Sequence, residues 1–566
     1  MAETISLPAL LALPEELIQH VLVYLEPIDL ASIARVCKRL HEHSYDDRIW
    51  QPLVNRNIPT PIGKPTPLKS FRELYSAHHP HWFLPRHRIW FSDSEPSGKL
   101  VICRYDPQQG SIVGHAVVAT RGHHTLHYWE KNREVVIHSF NPQVSLDSDR
   151  PVLRLDVDSA RTNDQPDNHP SDRGYAPPSR YDKEVLMDTF VEAGLYSSFM
   201  LCRTLPAAAI SPGTSVWPPL RFFANSRTRG VSRDGFNSSG HRPSRLSEVS
   251  MNNFRIRKWV EYAGRRSSPT LLSFTSPNGL SAALGLAGPY FAAGMATSNG
   301  GRMSIRMPED ITTYSTLPES CYTPTPEKPW QGIWCGDYSG HGCEFIVIQQ
   351  PDKGDEKPLP HGMDWLRQWF QEGRRGSSSS DSSYASAQEE VDYAGATRER
   401  TGVPELDDDV GESSSKRSSS EPALEDTEEP RRSERQGVTD YKNAPTGRLE
   451  AIKLTGDPNI PRGEYTFIAP DIGRGGFVRI ADEQIFLGAR VVRSAGHIAA
   501  RGFQGDSYTP SQLIMISHDT LAQFWEDFGH ISYYKRVDLE ALMQFTGRVQ
   551  TQSSQRRERS FSEASE

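Results

Sequence analysis

Residues 332–348 read GIWCGDYSGHGCEFIVI, two runs of aromatic and β-branched residues around a glycine-rich centre. Gly336, Gly340 and Gly342 supply turn and bulge geometry, and Asp337-Tyr338-Ser339-Gly340 forms a tip, so the stretch predicts a β-hairpin. Cys335, Asp337, Ser339, His341 and Cys343 also fall within it, which raises a nucleophile or a metal as alternatives. A nucleophile elbow needs GxSxG between a strand and a helix. Here Gly336 and Ser339 are three apart, β-branched residues follow, and no helix start is visible. Asp337, Ser339 and His341 lie too close along one extended segment to form a triad. Cys335, His341 and Cys343 offer three ligands where structural zinc takes four, and Cys321 would have to be the fourth. Small Cys residues also pack commonly in β cores. The stretch is read as a hairpin with no catalytic role, no metal and no cofactor.

Outward from the hairpin the β pattern continues on both sides. WFLPRHRIWFSD, KLVICRYDPQQGSIVGHAVVAT, TLHYWEKNREVVIHSF and VLRLDVD, between His81 and Asp158, mix aromatic and β-branched residues separated by turn formers. VLMDTFVEAGLYSSFML (185–201) is a candidate helix. The polar stretches 159–183 and 225–250 read as disordered loops. Residues 351–440, with SSSSDSS, ELDDDVGE and EDTEEPRRSERQ, read as a disordered Ser/acidic insertion. Order resumes over 441–549, with a short helix near 538–545, and 550–566 read as a disordered tail. The Gly-rich GRGG at 473–476 lacks the Lys-Ser/Thr of a phosphate loop and is a turn. His123, His124 and His127 read as a polar turn and a strand face. Ser433 and Ser560 follow basic runs and are candidate kinase targets.

A 566-residue chain with 24% charged residues and a mean hydropathy of −0.58 is too polar for one continuous globule. A net charge of −8 gives no global attraction to nucleic acid or to an anionic membrane. Six Cys without a CxxC pair fit a reducing compartment, cytoplasmic and/or nuclear. The N-terminus lacks the basic and small-residue features of a secretion signal. The uncharged run 267–301 is broken by Pro277 and Pro289 and falls short of a membrane span.

Residues 13–56 predict three short helices. The first starts at Leu13-Pro14 with acids in its first turn and carries Leu17, Ile18, Val21, Leu22 and Leu25. Pro27 ends it, Asp29 is an N-cap candidate for the second, and the third begins near Asp47. So short a segment cannot bury all of that apolar surface by itself, so a partner must cover part of it, the alternative being a small helical bundle packed on the following domain.

The stretch LPEELIQHVLVYLEPIDLASIARVCKRL, closing with DDRIW, resembles an F-box. The resemblance implies docking to a Skp-type adaptor and, through it, to the cullin and RING subunits of a ubiquitin ligase. The positions it assigns to the adaptor are Leu13, Pro14, Leu17, Val21, Leu22, Leu25, Leu30, Val36, Cys37, Leu40 and Trp50.

The blocks GDYSGHGCEFIVI, IKLTGDPNIPRGEYTF, ARVVRSAGHIAARGFQGDSYTPSQLIMI and FGHISYYKRV resemble the substrate-binding β-barrel of the F-box-only family that binds D-type cyclins, with a composition suggesting a fungal member. That resemblance implies a non-catalytic receptor for a target protein's degron, phosphorylated or C-terminally modified (amidated), leading to ubiquitination and degradation. Trp334, Tyr338, His341, Asp457, Asn459 and Arg501 are the expected substrate contacts. Asp457 ends an apolar run at a strand-to-turn junction, where a carboxylate either accepts two N–H bonds from a ligand or caps its own turn. The expected fold class is α+β: an F-box (1–56), a linker (57–80), and a mostly antiparallel β-barrel-like domain in two parts (81–350 and 441–549) around the insertion.

Overall fold

The computed structural model describes residues 9–122, 125–157, 181–187, 195–211, 213–230, 240–264, 294–297, 303–363, 365–366 and 445–544. The N-terminal region is helical, with four helices where three were expected: α1 (Glu15–Leu22), α2 (Pro27–Ile33), α3 (Lys38–Ser44) and α4 (Asp47–Asn55). Pro27 opens α2 at its first position instead of closing α1, because a proline costs nothing where the helix has no N–H to satisfy. Asp29 therefore sits inside the first turn and caps nothing, whereas Asp46 caps α4 by accepting from Arg48 N at 2.9 Å.

Two more helices follow, α5 (Phe71–His78) and α6 (Phe83–His87). Ser70 caps α5, and Phe71 and Leu74 are buried, so the segment expected to be a linker contributes to the core. WFLPRH, read as strand, is largely α6, and the strand begins only at Ile89.

The first sheet is built from β1 (Ile89–Ser92), β2 (Leu100–Asp106) and β3 (Ser111–Thr120), with a small pair β4 (Leu126–Tyr128) and β5 (Val136–His138) outside it. It continues with β6 (Gln143–Leu146), β7 (Leu153–Asp156), β8 (Val185–Met187) and β9 (Leu195–Arg203). After a second small pair, β10 (Val216–Trp217) and β11 (Thr228–Arg229), come β12 (Val249–Gly264), β13 (Gly294–Thr297) and β14 (Met303–Ser315). The order is β6-β3-β2-β1-β14-β12-β9-β8, every pairing antiparallel. The candidate helix at 185–201 is thus two strands; Tyr196 to Leu201 pair with β12, and that ladder overrides local helix propensity. Part of 225–250 is ordered, with Thr228, His241 and Ser250 buried. Residues 123–124, 158–180, 231–239, 367–444 and 545–566 lie outside the described residues, and with them most of the expected disorder, His123, His124, Ser433 and Ser560.

The second sheet closes on itself. Its strands are β15 (Gly332–Asp337), β16 (Cys343–Gln349), β17 (Leu449–Lys453), β18 (Tyr465–Ala469), β19 (Phe477–Ile480), β20 (Arg490–Ala500), β21 (Gln504–Met515), β22 (Thr520–Trp525) and β23 (His530–Arg536). The order β18-β17-β16-β15-β23-β22-β21-β20 is completed by β18 pairing β20 through Phe467↔Gly496 and Ile468↔Ala495. Eight strands give a barrel just wide enough for side chains to fill. β19 lies outside, paired to β20 alone, and helix α7 (Leu539–Gln544) follows β23.

Period-two alternation sorts the barrel residues. Trp334, Ile346, Ile348, Leu449, Phe467, Val492, Leu513 and Tyr534 form one buried cluster inside. Ile333, Cys335, Phe345, Val347, Ile452 and Ile514 face outward and join Phe91, Leu100 and Ile102 of the first sheet in a second cluster. The opposite face of the first sheet, through Trp90, Cys103 and Phe254, shares a third cluster with Ile18, Leu22, Leu40 and Trp50 of the helices. Met363 and Leu366 are buried in the second cluster, so the start of the segment read as a disordered insertion packs on the barrel.

Candidate functional site

In an up-and-down barrel successive turns alternate between the two ends. The turns 338–342, 454–464, 501–503 and 526–529 therefore share one end, and 350–448, 470–489 and 516–519 share the other. The four sequence blocks that suggested the barrel contribute one turn each to the first end, here termed the mouth.

The inner wall near the mouth is polar, in contrast to the apolar lower half. Lys453, almost fully buried, places Nζ 2.8 Å from Glu344 Oε2 and 2.5 Å from Asp457 Oδ2. The ammonium also stands 4.2 Å from the centre of the Tyr338 ring. Asp457 Oδ1 accepts from Asn459 N at 2.6 Å and Ile460 N at 2.7 Å. Of the two roles open to Asp457, the structure shows it capping its own turn and, with its second oxygen, holding Lys453. Burial by itself would raise the Asp457 carboxyl, but Lys453 and the two amides outweigh it and hold the carboxyl below its usual range. Burial pushes Glu344 up to about 8, with Lys453 opposing and the Asp457 carboxylate adding to the shift. The two carboxyls are thus pushed apart, Asp457 toward the ionised form and Glu344 toward the protonated one.

A second polar chain crosses the other half of the wall. Ser494 Oγ lies 2.7 Å from Ser511 Oγ, Gln523 Nε2 donates to Ser511 at 3.1 Å, and Tyr534 OH donates to Gln523 Oε1 at 2.8 Å. Tyr338 folds back into the barrel, its OH 2.9 Å from Thr466 Oγ1. Trp525 crosses above Gly496, where a Cβ would strike the indole, and Nε1 donates to Ser532 at 3.1 Å. Glycine at 496 is required by this close approach of the ring.

The first sheet buttresses the mouth. Gly456 N donates to Ser97 O at 2.7 Å, Arg462 Nη2 donates to Asp93 O, and Arg121 pairs with Asp337 at 2.7 Å. Asn459 Nδ2 donates to Ala499 O at 2.9 Å, and Gly502 N donates to Pro458 O at 2.8 Å, joining two mouth turns.

Of the expected contacts, Tyr338, His341, Asp457, Asn459 and Arg501 come together at this end, His341 and Arg501 exposed on turn tips. Trp334 does not join them. It is fully buried in the lower half, with its indole N–H on Trp330 O at 3.0 Å and the Arg536 guanidinium over its ring, so nothing from solvent reaches it. Sequence reasoning missed Lys453, Glu344 and Trp525. Lys453 and Glu344 had a signal in being charges placed on the inward phase of otherwise apolar strands. Cys335 is buried and Cys343 half-buried, both free, while His341 is exposed at the tip. Among the described residues no group of three or more His, Cys, Asp or Glu side chains is arranged to hold a metal ion.

A second surface lies on the helices. α1 is apolar on two sides: Ile18 and Leu22 turn inward, while Leu17 (49% exposed) and Val21 (43%) turn outward. Tyr24 (76%), Ile28 (67%) and Val36 (69%) extend the outward patch. The expected adaptor positions divide accordingly. Leu17, Val21 and Val36 are exposed; Pro14 is exposed at the cap of α1; Leu13, Leu25 and Cys37 are half-buried; Leu22, Leu30, Leu40 and Trp50 are buried within the chain. The inward face is buried in a cluster that also holds side chains of α4, α5, α6 and the first sheet. Tyr24 and Ile28 were not singled out, although Leu17, Val21 and Tyr24 follow i, i+4, i+7. No helix among the described residues is long and apolar enough to cross a membrane.

Residues 10–56 match the family described as F-box-like, and residues 314–541 match the Cyclin D1 binding domain. The second match runs from the last strand of the first sheet through the whole barrel into α7 and bridges the insertion. No curated protein sequence matches the chain. The chain therefore has an F-box-like helical region, and the stretch that matches the Cyclin D1 binding domain contains a closed eight-stranded barrel.

Proposed function

We propose that this chain is the substrate-recognition subunit of an SCF-type cullin–RING ubiquitin ligase. The observation that carries the reading is the outward patch of Leu17, Val21, Tyr24, Ile28 and Val36. These residues stay exposed on α1, on α2 and on the turns that follow them, while Ile18, Leu22 and Leu30 of the same segment are buried. A Skp-type adaptor covers that patch, and the mouth of the barrel holds a degron from a target protein. The chain does no chemistry of its own. Holding the target beside the ligase's transfer machinery raises its effective concentration and makes ubiquitin transfer quasi-intramolecular. Such a subunit works in the cytoplasm and/or the nucleus.

Within the mouth, His341, Asn459 and Arg501 are the proposed contacts for the degron, on turns that the buried Lys453–Asp457–Glu344 group holds in place. Polar side chains presented on turns whose inner side is already paired suit recognition of a polar peptide feature.

The test is reconstitution of the full chain with adaptor, cullin and RING subunit. A stable complex that ubiquitinates a bound protein, and loses both properties in Leu17→Asp, supports the reading. Adaptor binding without ubiquitination of any captured protein would instead favour an F-box scaffold.

A further inference from the structure

The end of the barrel away from the mouth carries a cavity of about 470 Å³ that the proposed target site does not use. It lies between the start of β15, the end of β23, α7, the turn 319–324 and the head of β1. Its floor is apolar, formed by Ile89, Ile333 and Val537, with Leu539 and Met543 of α7 as a wall.

Its rim is acidic. Glu319, Asp519, Asp538 and Glu540 face Arg88 and Arg536. Arg536 is already committed, with Nε on Asp519 Oδ1 at 2.8 Å and its terminal nitrogens on the carbonyls of Gln331, Pro329 and His518. Asp538 Oδ1 accepts from Ala541 N at 2.9 Å, and with Glu319 and Glu540 it leaves Arg88 as the one other cation among the lining residues. An apolar floor under a net-negative rim takes an apolar side chain flanked by cations.

The chain itself supplies that chemistry. Beyond Gln544 it reads FTGRVQTQSSQRRERSF over residues 545–561, with Arg556, Arg557 and Arg559 around Glu558 and one residue, Ser560, before Phe561, a local excess of two positive charges. The 11 residues 545–555 reach roughly 35 Å when extended, ample to turn back over a cavity whose wall is the helix they leave. We propose that residues 556–561 dock in this cavity, Phe561 on the apolar floor and the arginines on Glu319, Asp538 and Glu540.

Hydrogen–deuterium exchange on the full chain tests it. Reversing Arg556, Arg557 and Arg559 to Glu is expected to speed exchange of 319–324 and 539–543 by about threefold or more, since a docked segment suppresses local opening. Phe561→Ala has the same effect. Glu319→Lys with Glu540→Lys speeds exchange in the wild-type tail background and restores protection when combined with the reversed tail. Unchanged exchange in the tail variants overturns the proposal, as does acceleration that the charge swap does not reverse. Protection that fades on dilution would place a second copy's tail in the cavity and overturn the intramolecular assignment.

Discussion

Lys453 and Asp457 are joined Nζ to Oδ2 at 2.5 Å across the point where β17 ends and the mouth turn begins. The pair fixes the turn from inside the barrel while Asn459 ties it to the neighbouring β20–β21 turn from outside. The mouth is thus a set of loops locked from two sides, which favours a preformed site over one that orders on binding.

Removing one member of this pair should be costly. Asp457→Asn leaves a buried ammonium with Glu344 as its only carboxylate, and breaking such a pair costs roughly 3–5 kcal/mol when nothing replaces it. Glu344 compensates in part, so its carboxyl should ionise at lower pH in this variant. The double variant Asp457→Asn/Lys453→Met should cost less than the two singles summed, by more than about 1 kcal/mol. Denaturant unfolding of the four proteins measures this; strict additivity would mean the pair is not coupled.

Glu344 gives a pH signature. Its carboxyl moves from 4.5 to about 8 on folding, so the native state keeps a proton that the unfolded chain releases. That contribution is complete below pH 4.5 and is lost as pH rises through about 8. Asp457 acts with the opposite sign: its lowered carboxyl adds stability above its ordinary value of 3.8, and that is lost as pH falls further. Glu344→Gln, close in shape to the neutral acid, should fold and should flatten the decline in stability between those limits. A decline of unchanged slope would assign it to other groups.

On the helices, exposed and buried apolar positions should separate cleanly. Leu17→Asp and Tyr24→Ala should abolish adaptor binding in a pull-down with little change in melting temperature. Leu22→Ala and Trp50→Ala should lower stability by about 2–5 kcal/mol, because each empties a filled core position. Adaptor binding that survives Leu17→Asp and Tyr24→Ala together would relocate the docking surface.

Gly496 is the steric test of the mouth. A methyl group there meets the Trp525 ring, so Gly496→Ala should displace the indole and break its bond to Ser532. Tryptophan fluorescence should shift and target binding weaken, while adaptor binding is retained. Normal target affinity in this variant would place the degron elsewhere on the barrel.

The hairpin at 332–348 and the strands of the barrel were legible because the strands are short runs of apolar, aromatic and β-branched residues, several of them buried on both faces, and the turns are marked by Gly, Asp and Pro. What could not be read was the pairing. Residues 185–201 look helical taken alone, and only the ladder to β12 makes Leu195–Arg203 a strand. Trp334 was placed in the site because it neighbours Tyr338 in sequence. The barrel instead puts the two at different depths, Trp334 below and Tyr338 folded back at the top. Lys453 escaped notice because a lysine at the end of an apolar run normally reaches water, and only closure of the sheet turns it inward. Which apolar positions of the helices are buried was not legible either: Leu22, Leu30, Leu40 and Trp50 lie in a cluster that reaches into the first sheet, and Trp50 meets Tyr75 of α5.

The turn 350–448 opens at the end of the barrel opposite the mouth, yet the strands it connects are direct neighbours, paired from Ile346↔Lys453 to Gln349↔Glu450. The covalent link between the two halves of the barrel is therefore redundant with their hydrogen-bonded seam. A backbone cut within 367–440 should yield two fragments that remain associated and still present an intact mouth. The same region is a natural point for splicing in a reporter or for permuting the chain ends, since the two strand ends that anchor it, Gln349 and Leu449, lie at the end of the barrel opposite the mouth.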